Sequence, residues 1–202
     1  MVTEAQSLPW ETVLADDSAA VDSERVVLLA QDGTPIGFAP KAVVHDTHTP
    51  LHLAFSCYLF DERGRVLLTR RALTKATWPG VWSNTCCGHP QPGEDPAEAV
   101  RRRLRQELGI EADGLVLVLP DFSYRAVDAS GVVENEICPV WVGQVPAATP
   151  LSPDPAEVMD TAWVAWSDLV GAARGTPQLL SPWSVLQVPQ LEATDLAPKG
   201  VS

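Results

Sequence analysis

The sequence predicts an α+β chain folded as a single domain, and three features carry that prediction. Two turn signals, Gln31-Asp32-Gly33 and Asp61-Glu62-Arg63-Gly64, each stand between apolar runs and read as hairpins. One well-capped helix, Asp95 to Gly109, interrupts the strands, and two further helix starts lie near the C-terminus. At 202 residues, 46% of them hydrophobic, the chain can build one real core, and it has no linker long enough for two domains.

Taken in order, residues 1–23 mix acids, Ala and Ser without periodicity and are expected to form a loose extension. Arg25 to Ala30 and Ile36 to Ala39 make the first hairpin, with Lys41 at its end. His45, His48 and His52 then precede the apolar run Leu53 to Phe60, which pairs with Arg65 to Thr69 in a second hairpin. Arg70, Arg71 and Lys75 follow as a local cationic patch in a chain whose only lysines are Lys41, Lys75 and Lys199.

Ser83 to Asp95 joins chemistry to scaffold. If Val81 to His89 is extended, Cys87 and His89 leave one face, setting a thiol beside an imidazole. Taken alone, Cys87 reads better as a small buried residue and His89 as a satisfied turn histidine. Pro90 to Gly93 then turns the chain into the helix, where Asp95 is the N-cap, Pro96 is N1, Glu98 is placed for a capping box and Gly109 is C′. Helical spacing buries Ala99, Val100, Leu104 and Leu108 and puts Arg103 and Glu107 on one face.

Leu115 to Leu119 and Phe122 to Arg125 are strand candidates, and Val133 to Val145 alternates. On that last strand Glu134 and Glu136 share a face and repel unless a cation lies between them. Thr161 to Trp166 reads as a further strand, Ser167 and Ser181 start helices, and residues 189–202 are expected to form a poorly ordered tail.

Composition excludes several functions. A formal net charge of -12 at pH 7 argues against nucleic acid or an anionic membrane as partner, since either needs a basic face. No apolar run approaches the roughly eighteen residues of a membrane span, and the acidic start lacks the marks of a secretion signal. A cytoplasmic protein with reduced thiols at Cys57, Cys86, Cys87 and Cys138 is expected. Its donors His45, His52, His89, Glu134 and Glu136 suit a borderline divalent ion, although so dispersed a set says little by spacing alone.

Together, Cys87-Gly88-His89-Pro90, Glu134-Asn135-Glu136 and Ser181-Pro182-Trp183 make the chain resemble the type I isopentenyl-diphosphate isomerases, and matching stretches cover most of residues 25 to 186. The resemblance implies an α/β sandwich of Nudix-like mixed β-sheets flanked by helices, spanning residues 24–188, that shifts the double bond of isopentenyl diphosphate. It implies Cys87 as one of the two acid–base groups and Glu136, assisted by Tyr124, as the other, with donor and acceptor left open, and Trp183 facing a carbocation. One Mn²⁺, Zn²⁺ or Mg²⁺ would sit on His45, His52, His89, Glu134 and Glu136. A Mg²⁺ on Glu107 and the Cys87 carbonyl would bridge the substrate diphosphate, surrounded by Lys41, Arg71, Lys75 and Arg103. Whether the chain is a monomer or a homodimer stays open.

Two other readings are a Nudix pyrophosphohydrolase and a non-catalytic metal-binding protein. For the first, Gly88, Glu94, Arg102, Leu104, Glu107, Gly109 and Ile110 fit the hydrolase signature, but Arg103 and Gln106 stand where it needs acids.

Overall fold

The computed structural model describes residues 24–194. The extension expected at residues 1–23 and the last part of the tail lie outside the described residues. Strands β1 (Arg25–Leu29) and β2 (Pro35–Pro40) pair antiparallel about a turn in which Gly33 takes φ 84° and Asp32 accepts from the Thr34 amide. The one-turn helix α1 (Lys41–Val44) has no side-chain cap and hence no sequence signal.

The run Leu53 to Phe60 is two strands, β3 (His52–Leu53) and β4 (Phe55–Phe60). The second predicted hairpin also changes: β4 meets β5 (Arg65–Arg71) directly only at Phe60 and Val66. Beyond that pair the strands part, β6 (Trp82–Ser83) lies on β5, and β7 (Cys86–Gly88) lies on β4. The extended run expected from Val81 to His89 is therefore two short strands with Asn84 and Thr85 between them, and their side chains satisfy backbone groups of β4, β5 and β7.

Helix α2 (Pro96–Leu108) forms as predicted. Asp95 accepts from the Glu98 amide and Gly109 closes the end at φ 68°. The Glu98 carboxylate turns to Arg101 instead of back to Asp95, so only half of the capping box is made. Then come β8 (Val116–Leu119), β9 (Ser123–Val127), β10 (Val133–Ile137), β11 (Val140–Gln144) and β12 (Val158–Ala165), followed by α3 (Trp166–Gly175) and α4 (Pro182–Glu192).

A five-stranded sheet runs β2-β1-β3-β10-β9, and a seven-stranded sheet follows the path β12-β5-β4-β11-β8 with β6 and β7 inserted. Two parallel neighbours cross between them together. β3 and β10 are paired in the first sheet, β4 and β11 in the second, and the breaks fall at Ala54 and at Cys138-Pro139. Hydrogen bonds from the Ala54 amide to the Ile137 carbonyl and from the Ser56 amide to the Pro139 carbonyl hold the crossing.

β4 is buried on both faces. Phe55, Cys57 and Leu59 pack with Val100, Leu104 and Leu108 of α2, while Tyr58 and Phe60 pack with Trp166, Leu169, Val188 and Leu191 of α3 and α4. This alternation makes the helix–sheet–helix sandwich.

α4 passes the boundary placed at residue 188. Pro189 lacks an amide proton for the helix ladder, yet Val188 and Leu191 are both almost fully buried, and that burial outweighs the missing bond. Leu191→Ala is expected to cost roughly 2–3 kcal/mol in urea unfolding; a cost near zero would return residues after 188 to the tail.

Candidate active site

The parallel register of β3 and β10 sets His52 opposite Glu136, with Nε2 3.4 Å from Oε1. His52 Nδ1 lies 2.9 Å from the Pro50 carbonyl, an acceptor, so that nitrogen carries the proton and Nε2 turns to the carboxylate. His89, one residue past β7, brings Nε2 to 3.3 Å from the same oxygen. His45, just after α1, lies 3.1 Å from Glu134 Oε2. The three ring centroids are 5.1, 5.1 and 5.5 Å apart.

His45, His52, His89 and Glu136 each offer a donor atom within 4.8 Å of the others. Glu134 stands outside that group: its Oε2 meets His45, and its Oε1 accepts from the Thr77 hydroxyl at 2.7 Å. Among the described residues, His45 Nε2, His52 Nε2 and Glu134 Oε2 are buried without a hydrogen-bond partner. Unpaired buried polar atoms cost roughly 1–3 kcal/mol each, and a divalent cation is the partner that suits imidazole nitrogens and carboxylates together. The residues therefore fit a metal.

Burial disfavours a charged carboxylate at Glu136, but the imidazoles of His52 and His89 beside it prevail and hold it well below the usual range. Burial, aided by the neighbouring His52, drives His89 down to about 3 despite Glu136, leaving a neutral imidazole suited to ligation.

A second wall carries the thiol. Cys87 lies opposite Ser56 in the β4–β7 pairing; its Sγ donates to Asn84 Oδ1 at 3.2 Å and lies 3.4 Å from Ser56 Oγ. Burial pushes the thiol up to about 12 against both contacts, so it keeps its proton at neutral pH. Ser56 accepts from Gln187 Nε2, and Gln187 accepts from the Tyr58 hydroxyl, each at 2.9 Å. Asn84 Oδ1 also accepts from Trp183 Nε1 at 2.9 Å, while its Nδ2 donates to the Cys57 and Cys86 carbonyls. Thus one amide ties the thiol to the indole. The sequence reading missed Asn84, Ser56 and Gln187, because uncharged polar residues carry no spacing signal, whether between strands or within a strand or helix.

Trp183, at the start of α4, has Trp78 edge-on at 5.5 Å, Tyr124 at 5.8 Å and the Arg71 guanidinium over its ring at 5.3 Å. Its face already receives a cation. Tyr124 lies opposite Glu136 in the β9–β10 register, and burial, followed by the charge of Glu136, keeps its phenol protonated.

Cys87, His89, Tyr124, Glu136 and Trp183 line one cavity of about 500 Å³, and Lys41, Arg71, Lys75 and Arg103 line it too. His52 stands behind its wall. Arg71 donates to the Thr77 carbonyl at 2.8 and 3.0 Å. Lys41 pairs with Glu24, Lys75 with Glu157, and Arg103 with Glu107 and, at 3.3 Å, with Glu157. Burial raises Glu157, but Lys75 and Arg103 outweigh it and bring the carboxyl to about 2. Glu107 and Cys87 border a smaller cavity of about 40 Å³, room for about one ion or water. Gln106 takes hydrogen bonds from Arg102 and Arg103, and Glu94 is bound by Arg102, so Glu107 is the signature acid left facing that small cavity.

A family profile described as NUDIX domain matches residues 50–183. The chain is 56% identical over 180 residues to the isopentenyl-diphosphate Delta-isomerase of Clavibacter michiganensis subsp. michiganensis, covering 89% of this chain and 92% of the relative. With the isopentenyl-diphosphate Delta-isomerase of Mycolicibacterium vanbaalenii it shares 58% identity over 174 residues, 86% and 94% of the two chains. Among solved structures, a Deinococcus radiodurans protein aligns with TM-score 0.63 at 20% identity over 83% of this chain and 98% of its own. A MutT NUDIX hydrolase from Burkholderia pseudomallei aligns with TM-score 0.54 at 22% identity over 70% and 98%. At such identities the likeness is one of fold.

Two outcomes are expected. Chelator-treated protein titrated with Zn²⁺ binds about one equivalent at the histidines, and His52→Ala weakens that binding at least about tenfold; unchanged affinity in the variant would remove His52 from the ligand set. Glu157, lowered by folding, contributes stability above its unfolded value of 4.5 and loses it as pH falls toward about 2. Urea unfolding of Glu157→Gln should therefore show a deficit at pH 7 that closes by pH 2, and a pH-independent deficit would contradict the ion-pair account.

Proposed function

Because the chain belongs to the NUDIX family and, within it, to the isopentenyl-diphosphate Delta-isomerases, we propose that its main cavity binds isopentenyl diphosphate and moves a proton across the alkene. It is an isomerase that converts isopentenyl diphosphate to dimethylallyl diphosphate. One observation carries the assignment of roles: a thiol that keeps its proton and a carboxylate that has lost its own line the same cavity, beside a cluster of cations.

An unactivated alkene is a very weak base. Adding a proton to the terminal methylene leaves a tertiary cation at the branched carbon, and removing one from the carbon nearer the diphosphate completes the shift. The two exchanges call for a proton-bearing group and a proton acceptor within reach of the substrate, in surroundings that keep water from the cation. Cys87 on β7 serves one exchange and Glu136 on β10, with the Tyr124 phenol beside it, serves the other; their roles reverse with the direction of reaction. Trp183 faces the cation, where a desolvated cation–π contact contributes on the order of 2 kcal/mol and the indole is a poor nucleophile.

Lys41, Arg71, Lys75 and Arg103 hold the diphosphate, and Glu107 and the Cys87 carbonyl would hold a Mg²⁺ that supplies further positive charge to it. His45, His52, His89 and Glu136, with Glu134 beside them, would hold one Mn²⁺, Zn²⁺ or Mg²⁺, the imidazoles favouring the first two. When bound, such an ion would supply positive charge beside Glu136, which His52 and His89 already keep ionised. Among the described residues no helix is long and apolar enough to cross a membrane.

The hydrolase reading lacks the helix acids replaced by Arg103 and Gln106. NMR of metal-loaded protein with isopentenyl diphosphate in deuterated water separates the alternatives. Deuterated dimethylallyl diphosphate is expected, with the rate falling at least about a thousandfold in Cys87→Ala. Phosphate release would instead favour a hydrolase, and an unreacted substrate over an occupied metal site a binding protein.

A further inference from the structure

At the anionic end of the cavity, Lys41, Lys75 and Arg103 already have carboxylate partners, and among those acids Glu24 is placed unlike the others. Glu107 and Glu157 are 9% and 23% exposed in their side chains and border the smaller, inner cavity. Glu24 immediately precedes β1, lines the main cavity and is 38% exposed. One of its oxygens pairs with Lys41, while the other lies 3.5 Å from Arg103 and 3.6 Å from Arg102. Two anionic oxygens spanning a lysine and an arginine reproduce what one phosphate group presents to the same pair. Arg102 does not depend on Glu24, since Glu94 takes its guanidinium through two bonds of 2.7 and 2.8 Å.

We infer that Glu24 is a displaceable counter-ion that stands where a phosphate group of the substrate binds Lys41 and Arg103, and that it sets the affinity for diphosphates without acting in the chemistry. The inference rests on the reading of the cavity as a diphosphate site. Without an anion, Glu24 keeps the two cations from repelling one another. A diphosphate, with several charges bridging Lys41, Lys75 and Arg103 together, displaces it, whereas a singly charged ligand gains too little to do so. Glu24 thus tightens selection for diphosphates at a cost in affinity. Its exposure lets it leave: a rim carboxylate regains water as it swings out, which a buried one would not.

The test is a calorimetric titration of the metal-loaded full chain with inorganic pyrophosphate in Mg²⁺ buffer, for wild type, Glu24→Gln and Glu111→Gln. Glu111, 74% exposed beside Arg105, controls for the loss of one charge elsewhere. Pyrophosphate is expected to bind Glu24→Gln about tenfold more tightly than wild type and Glu111→Gln within about twofold of it. In turnover, the KM for isopentenyl diphosphate should fall by a similar factor in Glu24→Gln while kcat stays within about threefold. Equal or weaker pyrophosphate binding by Glu24→Gln overturns the inference, because the carboxylate would then organise Lys41 and Arg103 instead of competing at them. Failure of the isomerase reading would appear separately, as absence of turnover in wild type, and leaves the pyrophosphate titration intact.

Discussion

A carboxylate held ionised inside the protein is the constraint on which the rest of the structure depends. Glu136 is 6% exposed, and burial alone would neutralise it. It stays charged because β3 delivers His52 beside it in parallel register and β7 ends one residue before His89. Those placements require β3 and β10 to run together and then to cross, again together, into the second sheet as β4 and β11. β4 in turn sets Ser56 against Cys87, so the crossing that orients the carboxylate also orients the thiol.

The cavity is sorted by charge and polarity. One side offers aromatic rings and a thiol, where burial holds both the Cys87 and Tyr124 protons in place. The other offers lysine and arginine already matched by acids. In the proposed reading, this arrangement lets a chain of net charge -12 take a polyanion: the attraction is local and short-ranged, while more distant acids are screened beyond roughly 8 Å at physiological ionic strength. Arg71 joins the two sides, since it borders the cationic end and lies over the Trp183 ring.

Much of this was legible in the sequence wherever a local rule decided the outcome. Helix α2 is bounded by Asp95, Pro96 and Gly109, and the first hairpin by Asp32-Gly33, because caps and turns act over a few residues. The two strand breaks were not legible. Leu53 to Phe60 and Val133 to Val145 are apolar or alternating whichever sheet they join, and only the partner strand shows where each changes sheet. Among the candidate site residues, Cys87 and His89 stood out by their spacing and Arg71 and Lys75 as a cationic patch, whereas grouping them with His45, His52 and Glu136 took the resemblance, since that set is too dispersed to reveal a cluster. Asn84 lay in plain view three residues before Cys87, but an amide's role emerges only when its five contacts are seen together. Glu24 had no signal, for a lone acid before a strand reads as solvated surface.

The most direct measurement of the central claim is a crystal structure of metal-loaded Cys87→Ala protein soaked with isopentenyl diphosphate. The expected result is a diphosphate among Lys41, Arg71, Lys75 and Arg103, with the hydrocarbon between residue 87 and the Glu136 carboxylate and against the Trp183 face. A substrate seated with its diphosphate on the histidines, or with its alkene out of reach of Glu136, would contradict it.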